Sequence, residues 1–88
     1  MNGIDLLKDK KILIVDDEQD ILDTLEELLP MCHVVKASSF DSAAGLLKSQ
    51  KFDLAILDIM GVDGYALLDI ANKKKIPAVM LIPKNHFR

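Results

Sequence analysis

Eighty-eight residues make room for one domain, because domains run to roughly 100–150 residues. Half of the residues are apolar and 28% are charged, with a single Cys and a formal net charge of −3; this excludes a disordered chain, a disulfide framework and a nucleic-acid groove as the main feature. No apolar run approaches the roughly 18 residues of a membrane span, and Asp5 and Asp9 stand where a secretory leader is basic and then apolar, so the reading is a soluble, cytoplasmic single domain over 1–88, with 1–9 as a lead-in and no membrane partner.

Taken in chain order, Ile12-Leu13-Ile14-Val15 is a short, unbroken, β-branched-rich run, which predicts a strand covered on both faces. Asp16-Asp17 closes it. Ile21, Leu22, Leu25, Leu28 and Leu29 then recur at helical spacing, with acidic residues between them and Pro30 as the stop. Cys32–Ala37 is a second strand. Ser38 or Ser39 caps a helix over Phe40–Lys48 with Phe40, Ala43, Ala44 and Leu47 on one face. Phe52–Leu57 is a third strand ending at Asp58. After a short loop containing Gly61, Asp63 caps a helix over Gly64–Lys73, buried through Tyr65, Leu68 and Ala71 or nearby positions, with Lys73–Lys75 where a helix C-terminus favours cations. Ala78–Ile82, between Pro77 and Pro83, is a fourth strand.

The order β-α-β-α-β-α-β implies right-handed crossovers and a doubly wound parallel sheet with helices on both faces. In such sheets ligands bind at the C-terminal strand ends. Two of the four predicted strands end there in Asp, at Asp16-Asp17 and at Asp58. If those strands are neighbours, three carboxylates converge; like charges raise one another's pKa, and a divalent cation such as Mg²⁺, which takes oxygen ligands, relieves the repulsion. An Asp beside bound Mg²⁺ can also accept a phosphoryl group. The plainer alternative is that Asp16 and Asp17 cap the following helix and Asp58 sits in a turn. Cys32 reads as a small buried hydrophobe, and His33 and His86 have no metal-ligand spacing.

Ile-Leu-Ile-Val-Asp-Asp-Glu at 12–18, Asp-Leu-Ala-Ile-Leu-Asp-Ile-Met at 53–60 and Asp-Gly-Tyr-Ala-Leu-Leu at 63–68 closely resemble the receiver domain of two-component response regulators, over Lys10 to Ile82. The resemblance implies a flavodoxin-like α/β sheet, Asp16 and Asp17 as metal-binding acids, Asp58 as phosphoacceptor, the backbone carbonyl of Met60 as a further metal ligand, and Mg²⁺ as the cofactor. It also implies a histidine kinase or a phosphotransfer protein as partner and a role as a non-enzymatic phosphorelay module.

Three departures from the family pattern stand out. Gly61-Val62 bridges a loop that is longer in the family and contains Pro, and a tighter turn gives Gly61 a reason to adopt positive φ. Ile82 stands where the family has Ser or Thr. The family's Lys on a fifth strand has no counterpart, Lys84 being the nearest candidate, so the four-strand sheet reads as incomplete, cut after its fourth strand. An exposed fourth strand is a template for pairing with another chain, and self-association through it is expected. The competing reading is a degenerate or truncated receiver that binds a partner or oligomerises without phosphorylation switching. A phosphatase with an Asp nucleophile ranks last, because Asp16-Asp17 lacks the Asp-x-Asp spacing that places a general acid.

Overall fold

The computed structural model describes residues 6–58, 61 and 63–82. Among them the chain runs β1 (Lys11–Val15), α1 (Gln19–Leu28), β2 (His33–Ala37), α2 (Phe40–Ser49), β3 (Leu54–Asp58), α3 (Gly64–Lys73) and β4 (Ala78–Leu81). The four strands form one parallel sheet in the order β2-β1-β3-β4.

The unbroken apolar run of β1 is explained by its central place. Successive side chains of a strand point to opposite faces, and here both faces are covered. Leu13 and Val15 join Ala43, Ala44 and Leu47 of α2 and Leu67 and Ala71 of α3 in one buried cluster. Ile12 and Ile14 meet Leu22 of α1 on the other face. Residues 12 to 15 are all fully buried. β3 repeats the division: Ala55 and Leu57 face the α2/α3 side, and Leu54 and Ile56 face α1.

The helix ends follow local chemistry. α1 stops at Leu28 because Leu29 precedes Pro30, which disfavours helical backbone before it; Leu29 sits at φ −124°, ψ 52°. Ser39, rather than Ser38, caps α2, its hydroxyl accepting from the Ser42 amide at 3.2 Å. Asp63 caps α3 through the Ala66 amide at 3.4 Å.

The structure corrects several boundaries and one helix face. β3 begins at Leu54 and not at Phe52: Asp53 is engaged instead with the start of β1, its Oδ2 accepting from the Lys11 amide at 2.8 Å and its own amide donating to the Lys11 carbonyl at 2.8 Å. Phe52 is buried but lies outside the ladder. β2 begins at His33, α2 runs on to Ser49, and β4 ends at Leu81. α3 turns Gly64, Leu67 and Ala71 inward, whereas Tyr65 is 64% exposed. In α1, Leu22 alone is fully buried; Ile21 and Leu28 are exposed. Cys32 is half-buried, its Sγ donating to the Leu7 carbonyl at 3.3 Å, and burial pushes its thiol pKa up. No helix among the described residues is long and apolar enough to cross a membrane.

Candidate functional site

β1 and β3 are hydrogen-bonded neighbours, with Val15 in register with Leu57. The next residues in each strand direction, Asp16 and Asp58, therefore emerge side by side. With Asp17 they bring three carboxylates together at the C-terminal edge of the sheet, one oxygen from each lying within 4.8 Å of the others. Asp16 and Asp58 are buried, at 7% and 6% exposure, and Asp17 is exposed.

Each buried acid is held by backbone. The Asp16 amide extends the β1–β2 ladder by donating to the Ala37 carbonyl at 3.1 Å. Its Oδ1 accepts from the Glu18 amide at 2.9 Å, a local turn that leads the chain into α1. Asp58 Oδ2 accepts from the Gly61 amide at 2.9 Å. Burial pushes the Asp16 carboxyl above its ordinary range; the Glu18 amide pulls it down, and the negative charges of Asp58, Asp17 and Glu18 push it up again. Neither Asp16 nor Asp17 caps α1, contrary to the plainer sequence reading: the N-cap residue is Glu18, without a side-chain cap bond, and the Asp16 turn onto the Glu18 amide precedes the helix.

The donor set is all oxygen, carries net negative charge and is partly desolvated, which suits a hard divalent cation better than a thiolate- or imidazole-seeking one. Met60, whose carbonyl the resemblance adds to this set, and Lys84 lie outside the described residues. His33 starts β2 at the opposite end of the sheet and pairs with Asp9 at 3.9 Å on the surface. Glu18 is exposed and is the residue preceding α1, with no side-chain cap bond. Ile82 follows Leu81, the register partner of Asp58, and is 54% exposed.

Gly61 is the residue whose part in the site the sequence understated. It does not have positive φ; the left-handed conformation of this loop sits at Asp63, at φ 54° and ψ 57°. Asp tolerates that region better than most residues, and it caps α3 from there. What position 61 requires is close approach. A Cβ built on Gly61 would lie 2.5 Å from Asp17 Oδ1, 2.6 Å from Asp17 Cγ and in contact with Asp58 Oδ2.

The model for the response regulator receiver domain matches residues 12–86 of the chain. The chain belongs to the receiver-domain family of response regulators. Among curated proteins this receiver is 35% identical over 81 residues to response regulator GtcR of Aneurinibacillus migulanus, covering 86% of the chain and 34% of that protein. It is 41% identical over 83 residues to the probable transcriptional regulator ycf27 of Guillardia theta, covering 89% of the chain and 33% of that protein. The receiver therefore spans about a third of the length of these relatives. Among solved structures, the N-terminal domain of a response regulator receiver protein from Methanoculleus marisnigri superposes with a TM-score of 0.76 at 30% identity, covering 84% of this chain and 68% of that one. Response regulator TrrA of Thermotoga maritima, solved in complex with Mg²⁺ and BeF, matches with a TM-score of 0.72 at 30% identity, covering 89% of this chain and 74% of that one. The flavodoxin-like arrangement expected from the sequence is the arrangement of these neighbours.

Proposed function

We propose that this receiver accepts a phosphoryl group on Asp58, with Mg²⁺ held by Asp16 and Asp17 together with Asp58 and the Met60 carbonyl. The observation that carries the reading is the convergence of three carboxylates, two of them buried, at the ends of adjacent strands. The Mg²⁺ and BeF bound by TrrA support the same chemistry in a relative. In this reading an Asp58 oxygen attacks the phosphorus of a donor. The new O–P bond forms as the bond from phosphorus to the donor's nitrogen or oxygen breaks, and the leaving group departs with that electron pair. The place of Asp58 at the end of β3 and the Gly61 amide donating to its Oδ2 support this role. A cation held by these residues would supply charge neutralisation for the carboxylates and for the incoming phosphoryl oxygens. The donor is a histidine kinase or a phosphotransfer protein, in the cytoplasm, and the module has no turnover reaction of its own.

Incubation with Mg²⁺ and acetyl phosphate, followed by intact mass measurement, tests this. The expected result is a gain of one phosphoryl group by the native chain and none by Asp58→Asn or in EDTA. No mass gain in the native chain, with no Mg²⁺-dependent change in the NMR resonances of Asp16 and Asp17, overturns the reading. We further propose that β4 pairs with another copy of the chain, supported by exposed Val79 and Ile82 at that end of the sheet. Light scattering over a concentration series that gives a monomer throughout refutes it.

A further inference from the structure

Among the described residues the sheet has β2 at one edge and β4 at the other, and the two edges differ in charge. β2 carries Lys36, whose Nζ is held by Asp23 at 3.2 Å and Glu26 at 2.8 Å; charged side chains on an edge discourage pairing. From Ile76 to Pro83 the sequence has no charged residue. The ladder fixes which backbone groups of β4 face outward. The Ala55 amide donates to the Pro77 carbonyl at 2.9 Å, and Ala55 is in register with Ala78. Successive residues of a parallel strand turn their backbone groups to alternate sides. Val79 and Leu81 therefore bond toward β3, whereas Ala78, Met80 and then Ile82 present N–H and C=O away from it. No described strand lies on that side. Val79 and Ile82 are also 48% and 54% exposed.

We infer that two copies join through these edges as an antiparallel pair with a two-fold axis at Met80, so that Met80 faces the partner's Met80 and Ala78 faces the partner's Ile82. The inference rests on the β4 pairing proposed above and adds its direction and register. Charge sets the direction. At the end where the strands begin, α2 and α3 finish in Lys48 and in Lys73–Lys75, and Lys74 Nζ donates to the Lys48 carbonyl at 3.3 Å, so these lysines gather there. At the other end stand Asp16, Asp17 and Asp58. Antiparallel pairing brings the acidic end of each copy alongside the basic end of the other, whereas parallel pairing sets acid beside acid. Donor supply sets the register. A slip of two residues one way calls on the Ile76 amide, which already donates to the Ala71 carbonyl at 2.8 Å. The same slip the other way puts the charge of Lys84 opposite Ala78. With the axis at Met80 every outward residue meets another outward residue. Val79 then stands opposite the partner's Leu81, and Ile82 opposite the partner's Ala78, so both exposed side chains gain apolar neighbours across the join. The contact is isologous and closes as a dimer.

Cysteine cross-linking tests the register. Val79→Cys and Leu81→Cys are made in a Cys32→Ser background, and one chain is labelled with ¹⁵N so that mass separates the products. Directly opposed residues of a non-hydrogen-bonded antiparallel pair have Cα atoms about 4.5 Å apart, within disulfide reach, and diagonal neighbours about 7–8 Å apart. With oxidised glutathione, the mixture is expected to give mainly the disulfide between Cys at 79 and Cys at 81, and each chain alone to give little. A preference for either homodimeric disulfide overturns the register while leaving β4 pairing standing. A dimer by light scattering that cross-links in no mixture overturns the inference and the β4 reading together, and a monomer at every concentration does the same. The backbone is tested by Met80→Pro against Met80→Ala. The proline removes the outward amide and keeps the amides of Val79 and Leu81 that serve β3. It is expected to weaken dimerisation at least about tenfold relative to the alanine variant, as loss of the central hydrogen bonds would give. Equal dimerisation of the two variants, both folded by circular dichroism, overturns the inference. If the proline variant does not fold, the cross-linking result decides.

Discussion

The bodies of β1 and β3 and their C-terminal ends are buried to nearly the same degree, yet they have opposite consequences for stability. Val15 is fully buried and Asp16, the next residue, is only 7% exposed. In the body, every buried side chain is apolar and touches a helix on one face or the other, so burial stabilises. At the ends, burial is imposed on carboxylates that face one another, so burial costs free energy that the backbone donors offset in part. The lesson is that burial marks two different things along one strand: the part that makes the fold, and the part the fold holds in an unfavourable state for chemistry.

Deleting atoms in the body is the largest test of this division. Leu13 is central in β1, in register with Val35 and Ala55 and fully buried against the α2/α3 cluster. Leu13→Ala is expected to cost about 2–5 kcal/mol, a large share of the about 5–15 kcal/mol that holds a small domain. Urea unfolding followed by circular dichroism measures it. A cost below 1 kcal/mol would mean that the body does not carry the stability assigned to it.

The loop after β3 is expected to show an intermediate effect. Asp63 is at φ 54° and its carboxylate accepts from the Ala66 amide. Asp63→Ala removes a cap and places a Cβ-bearing residue with no polar side chain in the left-handed region, for an expected loss of about 1–2 kcal/mol. Asp63→Gly recovers the conformational part and loses less. Asp63→Asn keeps both features and stays near the native value. Equal losses in Ala and Gly variants would show that the cap, and not the conformation, sets the requirement at this position.

How much of this could be read from the residues depends on how local the determining physics is. The apolar run of β1 and a serine cap at 38 or 39 are local; the run stands in the structure as expected, and the cap is Ser39. The strand order is not local, so Asp16 and Asp58 could be brought together only on the condition that β1 and β3 are neighbours; the observed order meets that condition. The face of α3 was ambiguous because Tyr65, Leu67 and Leu68 offer two overlapping apolar stripes, and the packing against α2 selects Leu67 with Ala71. The loop was ambiguous for a different reason. Gly61 and Asp63 both tolerate positive φ, and only the three-dimensional closeness of Asp17 and Asp58 shows why the glycine stands at 61.

At the strand ends the sign of the effect reverses. Because burial raises the Asp16 carboxyl above its ordinary 3.8, the folded state holds that proton more tightly than the unfolded chain does. Without cation, stability therefore falls as pH rises from about 3.8 through the raised folded value, and it is flat above that value with respect to this group. Asp16→Asn is expected to make the apo protein more stable than native at neutral pH and to remove that part of the slope. Melting temperatures in EDTA across this pH range measure both. In excess Mg²⁺ the proposed cation site predicts the opposite order, since a native chain that binds the ion would gain binding free energy that the variant lacks. A variant less stable than native in EDTA would show that the Glu18 amide contact outweighs the burial of the charge.

The smallest effect comes from an acid in the opposite setting. Asp23 lies exposed on α1; its Oδ1 accepts from Gln19 Nε2 at 2.8 Å and from Lys36 Nζ on β2 at 3.2 Å, and Lys36 also reaches Glu26 at 2.8 Å. The Gln19 hydrogen bond first, and then Lys36, hold the Asp23 carboxyl below its ordinary range. The same Glu26 and Asp23 contacts raise Lys36. The stabilisation from Asp23 is therefore present above 3.8 and is lost as pH falls through its lowered folded value, which is the reverse of the Asp16 slope. Asp23→Asn is expected to flatten the acid limb slightly, and the difference is expected to shrink in 1 M salt because exposed charges are screened there. The buried pair effect at Asp16 is screened much less. If the two variants respond to salt alike, the acidic strand end is as open to solvent as the surface of α1, and the contrast between body and end loses its electrostatic half.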